Sequence, residues 1–132
     1  YGNDRIQLFR FGQRHAETVV GNGSNDTFVI RGPTGVTLDA DCCMYIVEWD
    51  SHRIVRSGPQ GTQCILGCSG SPGHASDQFL LPRFAYFDSN GNLYVLDCGN
   101  SRIQRFELMH DQPSRSRGMY SIELDRRDAE IS

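Results

Sequence analysis

The sequence predicts an all-β fold built from repeated antiparallel units, and three observations carry that prediction. Residue types recur at a fixed offset: Pro33 and Pro82, Asp39 and Asp88, Tyr45 and Tyr94, Arg53 and Arg102, and Ile54 and Ile103 are each 49 positions apart. The amino terminus repeats the end of the unit, with Gly2-Asn3-Asp4-Arg5-Ile6-Gln7-Leu8-Phe9 aligning with Gly99-Asn100-Ser101-Arg102-Ile103-Gln104-Arg105-Phe106; Arg5 lies 48 before Arg53, so the period spans three copies. Finally, Asp88 to Asn92 is a polar Asn-Gly turn between two apolar runs, a strong hairpin signal. A period of this length marks an architecture in which each unit buries its apolar faces on its neighbours.

The units fall at about 1–32, 33–81 and 82–124. Residues 5–11 and Glu17 to Val20 read as the last two strands of the first unit, followed by a Gly, Asn and Ser loop from Gly21 to Asp26. Val36 and Leu38 open the second unit, Met44 to Val47 is its second strand, and Arg53 to Ser57 and Gln63 to Leu66 complete it. Tyr45-Ile46-Val47 and Leu93-Tyr94-Val95-Leu96 are apolar without strict alternation, the pattern of strands covered on both faces. In the third unit Gly99-Asn100 supplies the second turn, Gly for a positive φ and Asn to bond its own backbone. Arg102 to Phe106 is the third strand and Met119 to Leu124 the fourth. Residues 125–132 form a charged tail, expected to be disordered.

Pro-x-Gly-Val-x-x-Asp (Pro33 to Asp39) and Asn-x-Tyr-Val-x-Asp-x-Gly-Asn-x-Arg-Ile-Gln-x-Phe (Asn92 to Phe106) resemble NHL repeats. The resemblance covers residues 1 to about 106 and implies a β-propeller, commonly six-bladed, with four antiparallel strands per blade. This chain would then hold about two and a half blades of a ring that needs about 4–8 to close. It opens on Tyr1 inside a repeat, so a fragment of a longer protein is expected. The sequence departs from the family pattern at Asp41-Cys42-Cys43-Met44, where a Gly-Asn turn belongs, and at Arg83-Phe84, where a small residue and Gly are usual. Family members serve as scaffolds, receptors, RNA-binding platforms and occasionally enzymes, so the resemblance speaks to fold more than function.

Composition narrows the function classes. The 13 basic and 16 acidic residues leave a net charge of −3, which offers nucleic acid or anionic lipid no global attraction. RNA binding would need a local basic patch. No apolar run approaches the ~20 residues that span a bilayer. The five cysteines at 42, 43, 64, 68 and 98 are odd in number, so at least one is free or paired outside the chain. A disulfide, a zinc site and buried free thiols all stay open, although Cys64-x-x-x-Cys68 lacks the spacing of structural zinc sites. Two sequons, Asn22-Gly23-Ser24 and Asn25-Asp26-Thr27, tilt the reading toward an extracellular or receptor setting.

Propellers resembling this family that act as amidating lyases hold zinc through channel histidines. Here His15, His52, His74 and His110 occupy unrelated repeat positions, and no nucleophile elbow or phosphate loop is present. The expectation is a non-catalytic chain with no cofactor, acting on protein partners. Arg5, Ile6, Pro33, Asp39, Tyr45, Glu48, Arg53, Ile54, Pro82, Asp88, Tyr94, Asp97, Asn100, Arg102 and Ile103 form a structural signature that recurs between units. Glu48 and Asp97 each precede their Arg by five positions across a tight turn, within reach of a charge-assisted bond. His52, whose place is taken by Asp4 and Ser101 in the other copies, reads as a solvent-facing turn residue, and Trp49 and Tyr86 read as packing residues. The loops 21–27 and 67–78, which differ in length between units, are read either as spacers free to drift or as the place where function sits on a repeat scaffold. Asn22 and Asn25 in the first, and Ser71, His74 and Asp77 in the second, are the candidate partner-binding positions. Ile6, Phe9, Tyr94, Leu96 and Phe106 are the apolar residues expected to be exposed at the two ends.

Overall fold

The computed structural model describes residues 2–21, 23–24, 27–108 and 119–123. The loop positions Asn22 and Asn25, the tail 125–132 and His110 lie outside the described residues. The described residues form ten strands: β1 (Arg5–Leu8), β2 (Glu17–Gly21), β3 (Pro33–Leu38), β4 (Met44–Glu48), β5 (Arg53–Gly58), β6 (Gly61–Leu66), β7 (Pro82–Phe87), β8 (Asn92–Asp97), β9 (Arg102–Leu108) and β10 (Met119–Glu123). They form a β1-β2 pair and two four-stranded antiparallel meanders, β3-β4-β5-β6 and β7-β8-β9-β10. The all-β, partial-propeller expectation is realised.

The repeat reaches down to irregularities. The first strand of each meander shifts register just after its proline, between Pro33 and Gly35 and between Pro82 and Phe84. β1 and β5 share a second shift, between Ile6 and Gln7 and between Ile54 and Val55. Asp4, His52 and Ser101 are equivalent positions, and all three adopt left-handed backbone with φ of 49°, 54° and 52°. Here the structure corrects the sequence reading: the positive φ of the last turn falls on Ser101 rather than Gly99. Gly99 serves close approach instead, because a Cβ there would sit 2.4 Å from Leu80 Cγ. Nor does Asn100 bond its own backbone; its amide donates to the Gly73 carbonyl and to Asp97.

The hairpin turns show why Asp39 and Asp88 recur. Asp39 Oδ1 accepts from the N–H groups of Asp41 and Cys43, and Asp88 Oδ1 from those of Asn90 and Asn92. Asp41-Cys42-Cys43 therefore keeps the same turn as Asn90-Gly91-Asn92 despite the different residues. Cys42 takes φ +62° where Gly91 has +83°, at some cost in left-handed strain. Backbone donation from Asn92, helped by its side-chain amide, the Asn90 N–H and the Tyr94 hydroxyl, holds the Asp88 carboxyl below the usual carboxylate range against the opposing effect of desolvation. The sign follows: this stabilisation is complete above the unfolded-state value and disappears as pH falls through the lower folded one. A carboxyl-detected NMR titration should find the Asp88 midpoint in the folded chain below that of the same residue in the unfolded chain, and Asp88→Asn should remove that acid-dependent component of unfolding. Equal midpoints would refute it.

Two apolar clusters cement neighbouring units. Val20, Ile30, Ile46 and Val55 join the first unit to the second. Tyr45, Val47 and Ile54 on one sheet meet Phe79, Ala85, Leu93, Val95 and Phe106 at the other, with Tyr45 edge-on to Phe87 at 4.8 Å and Phe79 against Phe106 at 5.8 Å. Phe106 is thus buried, contrary to expectation, because it points toward the preceding sheet and not the outer one. Ile6 and Tyr94 are half-buried, while Phe9 and Leu96 are exposed. The inner strands β3 and β7 approach closely: Thr34 Oγ1 donates to the Arg83 carbonyl at 3.0 Å, and a Cβ on Gly35 would lie 3.2 Å from that oxygen. Tyr86 packs less than expected; it is exposed and stacks on Tyr94 at 5.0 Å. Trp49 lines a small cleft with Pro33, Thr34 and Arg83.

Candidate functional site: the crossover loop between the second and third units

Residues 67–81 carry the chain from the outer strand β6 back to the inner strand β7. Such crossovers have no ladder partners, so their backbone groups must be satisfied by side chains or water. Here Arg102 does most of this. Its Nε donates to Asp97 Oδ2 at 2.9 Å, Nη1 to the His74 carbonyl at 2.7 Å, and Nη2 to the carbonyls of Ala75 and Gln78 at 2.9 and 3.0 Å. Gln104 donates to the same Gln78 carbonyl, and Asn100 holds Gly73. Asp97, fully buried, accepts in addition from the Leu80 N–H at 2.7 Å. The strand turn β8–β9 is therefore a clamp closed on the loop.

Two further ties fix the ends. Cys64 and Cys68 form a disulfide across the exit from β6, which settles the open cysteine question for that pair. Cys42, Cys43 and Cys98 are free thiols, and burial pushes the Cys98 thiol up. At the far end, Nδ1 of His52 accepts from the Leu81 N–H at 3.0 Å. The solvent-facing reading of His52 is corrected: it is half-buried and ties the β4–β5 turn to the end of the crossover loop. Its equivalent, Asp4, accepts from the Gly32 N–H at 2.8 Å in the same way. A polar acceptor on a left-handed residue, aimed at the N–H before the unit's proline, is thus a repeat feature. It was hidden from sequence because aspartate and histidine do not look alike.

The first crossover is a shorter version of the same design. Arg53 pairs with buried Glu48 through Nε and, at 3.3 Å, Nη2, grips the Val29 carbonyl at 2.9 Å, and lies over the Phe28 ring. Its side chain is 22% exposed, against 8% for Arg102, because fewer loop residues wrap it. A cleft of about 750 Å³ opens beside it, lined by Asp4, Ser24, Phe28, Arg31 and Asp50 among others.

The signature residues therefore separate by task. Pro33 and Pro82 start the inner strands; Ile54 is core; Ile103 is half-buried on the outer sheet, as Arg5 is at the amino-terminal pair. Ser71, His74 and Asp77 are exposed on the crossover loop, and of these His74 has its carbonyl held from beneath by Arg102. Among the described residues, no group of three or more His, Cys, Asp or Glu could hold a metal ion, and no helix is long and apolar enough to cross a membrane.

No curated protein matches the chain. The family model of the NHL repeat matches residues 79–106, which run from Phe79 at the loop's end, through β7 and β8, to Phe106 in β9. That span contains Asp97, Asn100, Arg102 and Gln104, the whole clamp. Residues 79–106 therefore carry an NHL repeat, and the earlier units follow the same plan at the 49-residue period.

Proposed function

We propose that the chain is a non-catalytic protein-interaction module, of scaffold or receptor type, and that it reads its partner through the crossover loop 67–81. The observation that supports this reading is the clamp: four loop carbonyls, at Gly73, His74, Ala75 and Gln78, are held from beneath by Asn100, Arg102 and Gln104, while Ser71, His74 and Asp77 are exposed. A loop ordered before binding loses less conformational entropy on association, so modest contacts suffice for affinity. The Cys64–Cys68 disulfide suits an oxidising compartment, in keeping with the extracellular tilt of the sequons.

The test places a photoreactive residue at His74 and, as control, at Asn90 on the opposite turn. Irradiation in extract should produce one discrete protein adduct from position 74 and none from 90. Arg102→Lys, which loosens the loop without removing one of its exposed side chains, should reduce the yield several-fold. Equal labelling from both positions, or a nuclease-sensitive adduct, would overturn the reading.

A further inference from the structure

The repeat separates residues that every unit needs from residues that one unit carries alone. Trp49 and Arg83 are of the second kind: at the 49-residue offset Trp49 is matched by Cys98, and Arg83 by Thr34. They nevertheless share one place, a cleft of about 550 Å³ lined by Pro33, Thr34, Trp49 and Arg83. One wall comes from the second unit, with the indole just after β4, and the other from the third, with the guanidinium on β7. All four lining residues lie in the interior of the chain.

The frame of the cleft is fixed by hydrogen bonds. Thr34 Oγ1 donates to the Arg83 carbonyl at 3.0 Å, which pins β3 to β7. The backbone N–H of Trp49 donates to the Gly32 carbonyl at 2.9 Å, which holds the segment carrying the indole. Pro33 is buried and Trp49 half-buried, whereas Arg83 is exposed. Among the described residues no hydrogen bond or ion pair engages the Arg83 guanidinium, whereas those of Arg53 and Arg102 are committed to the crossover loops. A guanidinium fork gives a carboxylate two parallel bonds, and a flat indole beside it covers an apolar stem. Trp and Arg are also the residue types on which binding energy concentrates at protein interfaces.

We propose that this cleft is an anchor site for a single acidic side chain, Asp or Glu, of a protein partner. One guanidinium suits one carboxylate. Phosphorylated side chains are recognised by clusters of arginines, and Arg83 is the one basic residue of the four that line the cleft. The net charge of −3 repels a polyanion such as RNA far more than it repels one carboxylate. The cleft lies at the end of β7 that the loop 67–81 enters, so one partner can reach both. The proposal rests on the reading of the chain as a protein-interaction module, but the two fail separately. Crosslinking from position 74 reports whether a protein sits on the loop, and a peptide probe reports what the cleft prefers.

The probe is drawn from a phage-displayed library of random dodecapeptides selected on the immobilised full chain. The selected peptides should share an Asp or Glu next to an apolar residue. A fluorescein-labelled peptide of that sequence should bind Arg83→Gln about tenfold more weakly than wild type, as loss of a charge-assisted bond implies. Arg83→Glu should reject it and instead bind the same peptide with Lys in place of the acid. Both variants should melt with the wild type, because the Arg83 side chain is exposed and unbonded. A selection without acidic preference, or an Arg83→Glu chain that binds the acidic peptide as tightly as wild type, overturns the proposal. So does tighter binding of the phosphoserine version of the peptide, or of single-stranded RNA.

Discussion

Arg102→Ala is expected to destabilise the chain by about 3 kcal/mol, the lower end of the roughly 3–5 kcal/mol that breaking a buried ion pair costs. The low end applies because Asp97 keeps neutral donors, namely the Leu80 N–H, Asn100 Nδ2 and Gln104 Nε2. The released carbonyls of His74 and Ala75 belong to exposed residues and return to water, so they add little. Against a total of ~5–15 kcal/mol for an ordinary domain this is a large loss, equivalent to a fall in melting temperature on the order of 10 °C. Arg102→Lys separates charge from geometry. One ammonium can keep Asp97 neutralised but cannot also reach three carbonyls in the fork arrangement of a guanidinium. That variant should keep most of the stability while amide exchange accelerates at Gly73 and Gln78, whose N–H groups close the loop on Phe79 and Ala75. Thermal unfolding with hydrogen exchange by mass spectrometry reads both. If Arg102→Ala melts with the wild type, the clamp is not what holds the loop.

Gly67→Ala is the second large effect, again on the order of 3 kcal/mol. Gly67 has φ +70°, which costs a Cβ-bearing residue roughly 1–2 kcal/mol. The added Cβ would also lie 2.5 Å from the His52 carbonyl oxygen and 3.1 Å from Arg53 Cα, both backbone atoms that no rotamer change can clear. Forcing them apart adds roughly 1–3 kcal/mol, as overpacking does. Gly70→Ala is the control, because Gly70 has a similar φ of +72° and nothing within 4 Å. The difference between the two, by chemical denaturation, isolates the steric part. Equal losses would mean that the close approach of the crossover to β5 has room to yield.

The strands were legible because period and pattern are local properties copied from unit to unit. A run such as Leu93-Tyr94-Val95-Leu96 states its own conformation, and its agreement with Tyr45-Ile46-Val47 states its place. The acid–arginine pairs were legible for the same reason, being five apart across one turn. The clamp was not. Nothing about Arg102 in sequence says that its guanidinium reaches the carbonyls of residues 74, 75 and 78, more than twenty positions earlier. Nor does the loop itself carry a signal, since it is bound through backbone oxygens that every residue has.

What the sequence alone determined is therefore the unit: an antiparallel meander of 49-residue period with its hairpin turn at Asp88 to Asn92. What only the tertiary structure decided is which faces meet. Phe106 and Leu96 lie on the same sheet and both looked like end residues, yet one is buried and the other open. The choice depends on which side of the sheet each points to relative to its neighbour. His52 likewise turned from a turn residue into the acceptor that fixes the end of the crossover loop only once Leu81, 29 positions on, was brought beside it. Alternation along a strand specifies two faces, but it does not say which neighbour covers which; packing between sheets assigns that, since there a side chain gains or loses burial.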